Sequence, residues 1–129
     1  MSSIKKQSES SFEVGQFINK IRIGKCLSIQ QLSVHVGISP TYLREVERGL
    51  RVPDDKFIRN LAKYCGCDEN YIYHCMGKSP LIAREELEQN NILQETLKEI
   101  ALARFPEQKK NEIYKLFYSM AKLALLTAK

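Results

Sequence analysis

An all-α fold is predicted for this chain, and three observations of its 129-residue sequence predict it. Apolar residues recur at helical spacing, no segment alternates apolar and polar residues for long, and the glycines and prolines fall where helices would end. The pattern predicts five helices, a break at 77–80 and a C-terminal helical pair. We therefore expect a disordered N-terminal tail over 1–11, a helical unit over 12–77 and a C-terminal segment over 78–129.

The first helix is predicted over Phe12–Lys25. Ser10 and Glu13 have the spacing of a capping box, in which the serine accepts a hydrogen bond from a free backbone N–H and the glutamate reaches back. Apolar residues then follow on one helical face. They are Val14, Phe17, Ile18 and Ile21.

The second and third helices are separated by a very short turn. Ser28 and Gln31 form a second capping box, and Gly37 supplies the left-handed conformation that ends a helix. Ser39 as N-cap and Pro40 at the first helical position then start the third helix, which is expected to end near Arg48. Two helices joined by such a glycine-containing turn are typical of a helix-turn-helix.

Capping residues and apolar stripes also predict the remaining helices. Asp54 or Asp55 is expected to cap the fourth helix and Asp68 the fifth, while two C-terminal helices are predicted over Ile82–Arg104 and from Pro106 onward. The last helix has more apolar side chains than its neighbour can bury, so we predict a dimerisation surface there. Its residues are Ile113, Leu116, Phe117, Met120, Leu123 and Leu126.

The basic residues are concentrated in the first half of the chain. The segment Lys20–Lys63 has nine basic and four acidic side chains, whereas the segment from Leu81 has eight and seven. An excess of positive charge suits a surface that faces phosphates. No apolar run approaches the ~18 residues of a membrane span, and residues 1–10 lack the apolar stretch of a signal peptide, so we expect a cytoplasmic protein.

The third helix has two chemically different faces. Leu43 and Val46 lie three positions apart and are expected to point into the core. The opposite face can present arginine to guanine, glutamate to the amino group of cytosine and a threonine methyl to thymine, as a helix in the major groove does. The alternative interpretation is a merely solvated polar face. The outward residues are Thr41, Arg44, Glu45 and Arg48, with Tyr42 at the edge.

A series of short motifs follows along the first half of the chain. They are Ile21-Arg22, Leu27-Ser28, Gln31-Leu32-Ser33, Val36-Gly37-Ile38-Ser39, Tyr42-Leu43, Val46-Glu47-Arg48-Gly49 and Pro53. With these motifs the stretch from about Val14 to Gly77 resembles the phage repressor/Cro-type helix-turn-helix family, also called the Xre family.

The resemblance implies a five-helix, lambda-repressor-like DNA-binding domain. It also implies an ion pair between Arg22 and Glu47, which would make Glu47 structural rather than a base reader. The family's DNA-contacting positions fall on Gln30, Pro40, Thr41, Tyr42, Arg44 and Glu45. To this predicted DNA-binding set we add Ser39, Arg48 and Arg51.

The cysteines offer a competing interpretation. Cys65, Cys67, His74 and Cys75 could supply four zinc ligands, but their spacing is not that of paired Cys-x2-Cys motifs. Cys65 and Cys75 also fall on apolar stripes, where free cysteine packs as a small hydrophobe. Cys65, Cys67 and Ser33 stand where the family usually has leucine, valine and alanine. We expect no metal, no cofactor and, lacking a catalytic motif, no enzyme.

We therefore predict a sequence-specific DNA-binding transcriptional regulator, a repressor that binds a double-stranded operator as a homodimer. A single helix-turn-helix unit reads few base pairs, and two-fold symmetry doubles the site. The alternative is an antitoxin or another interaction module whose C-terminal helices dock a different protein.

Overall fold

The protein is helical throughout the part of the chain that the structure, a computed structural model, describes. This part is residues 2–128, with side chains described from Glu9, and it contains eight α-helices and no strand, which confirms the all-α prediction. The helices are α1 (Ser2–Gly24), α2 (Ile29–Val36), α3 (Pro40–Glu47), α4 (Asp55–Cys65), α5 (Glu69–Cys75), α6 (Leu81–Gln89), α7 (Asn91–Leu102) and α8 (Glu107–Thr127).

Helix α1 begins at Ser2, well before the predicted start at Phe12. Residues 2–11, predicted as a disordered N-terminal tail, are part of this helix in the structure, and Met1 lies outside the described residues. Ser10 does not cap a helix end, because the helix already passes through it. Ser11 is buried, so the packed face of α1 includes a polar residue that apolar periodicity cannot reveal.

The chain divides into two compact units, with the boundary between Glu85 and Glu86. In the first unit a single core joins α1 to α5. Burial of this apolar surface is the main favourable contribution to folding. The buried apolar residues are Val14, Ile18, Leu32, Val36, Leu43, Val46, Phe57, Ile58, Leu61, Cys65, Ile72 and Tyr73.

The predicted caps define the helix ends of the first unit. Ser28 and Gln31 form the complete capping box of α2. Ser39 accepts a hydrogen bond from the Tyr42 N–H at the start of α3, and Asp54 and Asp68 cap α4 and α5 in the same way. Local signals therefore place these four helix starts as predicted.

Helix α1 approaches the C-terminal end of α3 very closely at Gly15. A Cβ atom at position 15 would lie 2.5 Å from the carbonyl oxygens of both Val46 and Glu47. Real Cβ atoms do not come this close to a carbonyl oxygen, so the packing of α1 on α3 requires glycine here.

The segment after α5 differs from the predicted helical pair. The helix predicted over Ile82–Arg104 is interrupted at Asn90, whose side chain accepts a hydrogen bond from the Leu93 N–H and starts α7. Three helices follow residue 80 instead of two. Asparagine is a strong N-cap residue, and Asn90 stands directly before a new apolar stripe, so the sequence does contain a signal for this break.

The unit boundary also lies further along the chain than residue 77, because α6 is tied to the first unit by ion pairs. Arg84 donates two hydrogen bonds to Asp55, at 3.0 and 3.1 Å, and Arg59 donates to Glu85 at 2.8 Å. Tyr73 donates from its hydroxyl to the same Asp55 carboxylate. The Arg84 hydrogen bonds hold the pKa of Asp55 below its usual value, and that of Tyr73 lowers it further.

The second unit, taken by itself, has no core. None of the described residues of α7 or α8 is buried. An open groove of about 400 Å³ lies between the two helices and has a mostly apolar lining. Apolar residues that line it are Ile92, Leu93, Leu97, Ile100, Ile113 and Phe117.

We predict that Gly15→Ala destabilises the fold while Gly24→Ala, in the same helix, does not. The added methyl group at position 15 would force α1 away from α3, which costs roughly 1–3 kcal/mol for overpacking. A methyl group at position 24 would meet no atom within 4 Å, so alanine there should be neutral or stabilising by up to ~1 kcal/mol. Urea unfolding of both variants measures the difference, and equal effects would contradict the close approach.

Candidate nucleic-acid interface

Helix α3 is anchored by one face and open on the other. Leu43 and Val46 are fully buried in the core. Thr41, Arg44 and Arg48 are exposed on the other side of the helix. The two faces that the sequence predicted are therefore separated in the structure as expected, and the outer face is free for a ligand.

The turn before α3 fixes where that helix begins. Gly37 ends α2 in the left-handed conformation, with φ 71°. Only Ile38 then separates it from the N-cap Ser39, and Pro40 occupies the first helical turn. Glycine adopts the left-handed conformation without the steric cost of a Cβ. The short turn therefore places the N-terminal half of α3 beside α2.

Gln30 of α2 lies beside the start of α3. It lines, together with Ile38 and Pro40, a shallow surface depression of about 450 Å³. Gln30 and Ser39 are exposed, and Pro40 is partly exposed. The structure thus brings the predicted DNA-binding residue of α2 next to those that open α3.

Tyr42, Glu45 and Arg51 form a cluster at the edge of the α3 face. The Arg51 Nε atom lies 2.8 Å from Glu45 Oε2, and the Arg51 guanidinium carbon lies 5.2 Å from the centre of the Tyr42 ring. The Tyr42 hydroxyl accepts a hydrogen bond of 2.9 Å from the Asp54 N–H. Burial raises the pKa of Tyr42 above its usual value. The sequence did not predict this cluster.

The ion pair between Arg22 and Glu47 that the resemblance implied is present. Arg22 donates from Nε and Nη2 to the two Glu47 oxygens, at 2.8 and 3.0 Å, and from Nη1 to the Leu27 carbonyl oxygen. The Arg22 and Glu47 side chains are only 14% and 7% exposed. The Glu47 hydrogen bond raises the pKa of Arg22.

Asn19 is a further partner that sequence reasoning missed. Its Nδ2 donates a hydrogen bond of 2.6 Å to Glu47 Oε1. The Glu47 carboxylate therefore accepts from two side chains of α1 and faces away from the exposed surface of α3. Asn19 lies three residues before Arg22, which is the helical spacing that puts two side chains on one face.

The cysteines and histidines do not form a metal site among the described residues. No group of three or more His, Cys, Asp or Glu side chains there could hold a metal ion. Cys65 lies in the core, and burial raises the pKa of its thiol. His35 is exposed and stacks on Tyr64 with ring centres 4.4 Å apart.

The residues predicted for dimerisation lie on α8. Five of them are 61–78% exposed, and Ile113 is partly exposed. Such a series of exposed large apolar side chains on one helix is unusual for a surface that faces only water. The five are Leu116, Phe117, Met120, Leu123 and Leu126.

Comparison with known families identifies the first unit. Residues 18–72 match the family model described as "Helix-turn-helix". The chain therefore contains a DNA-binding helix-turn-helix domain of the phage repressor/Cro type, as the resemblance implied, and the matched segment contains α2 and α3. The C-terminal unit lies outside the match.

Other comparisons add little to this identification. A chain in the solved structure named SinR protein/SinI protein complex is similar to this one at 16% sequence identity, covering 84% of this chain and 98% of that chain with a TM-score of 0.45. No curated protein matches the chain. Among the described residues, no helix has both the length and the apolar character needed to cross a membrane.

Proposed function

We propose that this protein is a sequence-specific transcriptional regulator that acts as a repressor and binds its operator as a homodimer. The proposal rests on the difference between the two faces of α3. Its inner face is locked into the core by Leu43 and Val46, and its outer face exposes Thr41, Arg44 and Arg48. A helix held this way can enter the major groove without rearrangement of the fold.

The residues of the interface are suited to two kinds of DNA contact. Thr41 and Arg44 lie in the exposed N-terminal half of α3, where base edges are within reach. Gln30, Ser39 and Arg48 lie around them and are exposed, as groups that bind the phosphate backbone must be. Phosphate contacts supply affinity and orientation, whereas base contacts supply sequence preference.

A second copy of this chain is the proposed partner of α8. The exposed residues Leu116, Met120 and Leu123, with Ile113 and Thr127, follow the alternating spacing of three and four that lets two helices pack along a seam. The segment from Leu81 is nearly neutral, with eight basic and seven acidic residues, so two copies do not repel each other. A two-fold axis requires each surface to be complementary to itself, which a continuous apolar helix face satisfies.

The dimer supports operator binding because it doubles the site. Two recognition helices related by a two-fold axis bind half-sites one DNA turn apart, about 34–36 Å. A repressor of this type gains both affinity and specificity from the second half-site. The α7–α8 groove of each copy adds further apolar surface that the partner's α8 can cover.

We predict that Arg44→Ala and Thr41→Ala reduce the preference for the operator over random DNA more than they reduce general affinity. A lost base contact costs about 1–3 kcal/mol at one base pair. Lys98→Ala removes a positive charge from exposed α7 and is the matched control. Fluorescence anisotropy over a range of salt concentrations measures both quantities, and an unchanged operator-to-random ratio in the Arg44 and Thr41 variants would reject the recognition face.

We also predict that the full chain is a dimer at micromolar concentration and that Leu116→Glu with Leu123→Glu makes it a monomer. Burying one such leucine contributes roughly 1.5–3 kcal/mol, which the two charges would remove. Lys122→Glu, on the side of the same helix opposite the seam, should leave the dimer intact. Sedimentation velocity decides the question. A monomeric wild-type protein would refute the homodimer and leave the α8 surface to a different protein, as in the alternative interpretation.

A further inference from the structure

Arg51 has a defined orientation although it lies in the loop after α3. Its side chain is 53% exposed, yet its Nε atom lies 2.8 Å from Glu45 Oε2. Exposed arginines are usually free to sample many rotamers, and holding one in place costs side-chain entropy. The contacts of Arg51 with Glu45 and Tyr42 offset part of that cost.

Tyr42 fixes the second side of the Arg51 guanidinium. The ring centre lies 5.2 Å from the guanidinium carbon, within the range of a cation–π contact. The ring is itself held, because its hydroxyl accepts a hydrogen bond from the Asp54 N–H and its edge packs against the buried Phe57 at 5.7 Å between centres. One aromatic ring thus links α3, the loop and the start of α4, and lies against the guanidinium group.

The geometry leaves one edge of the guanidinium for an outside ligand. Because Nε lies beside Glu45, two parallel hydrogen bonds to a ligand would have to come from the edge that carries Nη1 and Nη2. Two chemical groups in DNA match this edge: the O6 and N7 atoms of guanine, and two oxygens of a phosphate. The pairing with Glu45 offsets the positive charge of Arg51, which weakens the attraction to phosphate and leaves the directional hydrogen bonds to a base.

We propose that Arg51 is a specificity-determining residue that reads a guanine in each half-site, and that Glu45 and Tyr42 are its positioning residues. The inference rests on the proposed function, because it assigns a base to a DNA interface that must first exist. It also gives Glu45 a different role from direct recognition of cytosine, since its carboxylate is held beside Arg51. The base preference at this position then depends on three side chains acting together.

Selection of binding sites from a random double-stranded DNA pool tests the inference with full-length protein. Wild type should enrich a site with a guanine at one fixed position of each half-site. Arg51→Ala should enrich the same site with that position degenerate, losing roughly 10- to 100-fold in discrimination there. Arg51→Lys keeps the charge but lacks the planar fork, so it should lose the guanine as well. Lys98→Ala is the control and should select the wild-type site.

The Glu45→Gln variant separates positioning from binding. It keeps the size of the side chain but removes the charge that orients Arg51, so the guanine preference should weaken while the rest of the site is retained. The salt dependence of affinity should become steeper, because an unpaired arginine can bind phosphate, and each such contact adds ~0.9 to the log–log slope. A structural role alone would not move one base position.

Two outcomes overturn the inference in different ways. If Arg51→Ala still selects the guanine and only the salt slope decreases by ~0.9, Arg51 binds phosphate and the inference is wrong while the proposed function stands. If wild type enriches no sequence at all, the proposed sequence-specific function fails, and the inference with it. Unchanged melting temperatures of the variants show that neither result arises from unfolding.

Discussion

The position of α3 depends on the carboxylate of Glu47. This group accepts two hydrogen bonds from Arg22 and a third from Asn19, and both donor residues lie on α1. Arg22 in turn donates to the Leu27 carbonyl oxygen, which ties the turn before α2 to the same cluster. A buried charge without partners is costly, so any arrangement that separates the end of α3 from α1 would leave the Glu47 carboxylate without its partners.

This constraint explains why one half of α3 is available to DNA. The C-terminal end is held by Glu47 and by the close approach of α1 at Gly15, where no side chain would fit. The N-terminal half is held from inside by Leu43, which leaves Thr41 and Arg44 exposed. Because the helix is fixed before DNA arrives, binding does not have to order it, and the cost of ordering is not subtracted from affinity.

The sequence predicted the features whose causes are local. Ser39 caps α3 through a hydrogen bond to a residue three positions away, and such signals are visible in a short window. The Glu47 pair, 25 residues apart in sequence, was reached only through the family resemblance, and the contribution of Asn19 was missed. The contact between Arg84 and Asp55, 29 residues apart, ties α6 to the first unit and so places the unit boundary beyond residue 77. Sequence spacing could not predict this contact, because it depends on tertiary packing. Periodicity likewise predicted the core position of Leu43 but not the beginning of α1.

The most direct test of this account is the free energy of unfolding of Glu47→Ala, measured with Arg22→Ala and the double variant. Removing one partner of a buried pair strands the other charge, so each single variant should lose roughly 3–5 kcal/mol, and the double variant should lose less than the sum. The selected DNA site should stay the same for any variant that remains folded. Unchanged stability of Glu47→Ala together with an altered base preference would contradict the account, because Glu47 would then belong to the surface that reads DNA.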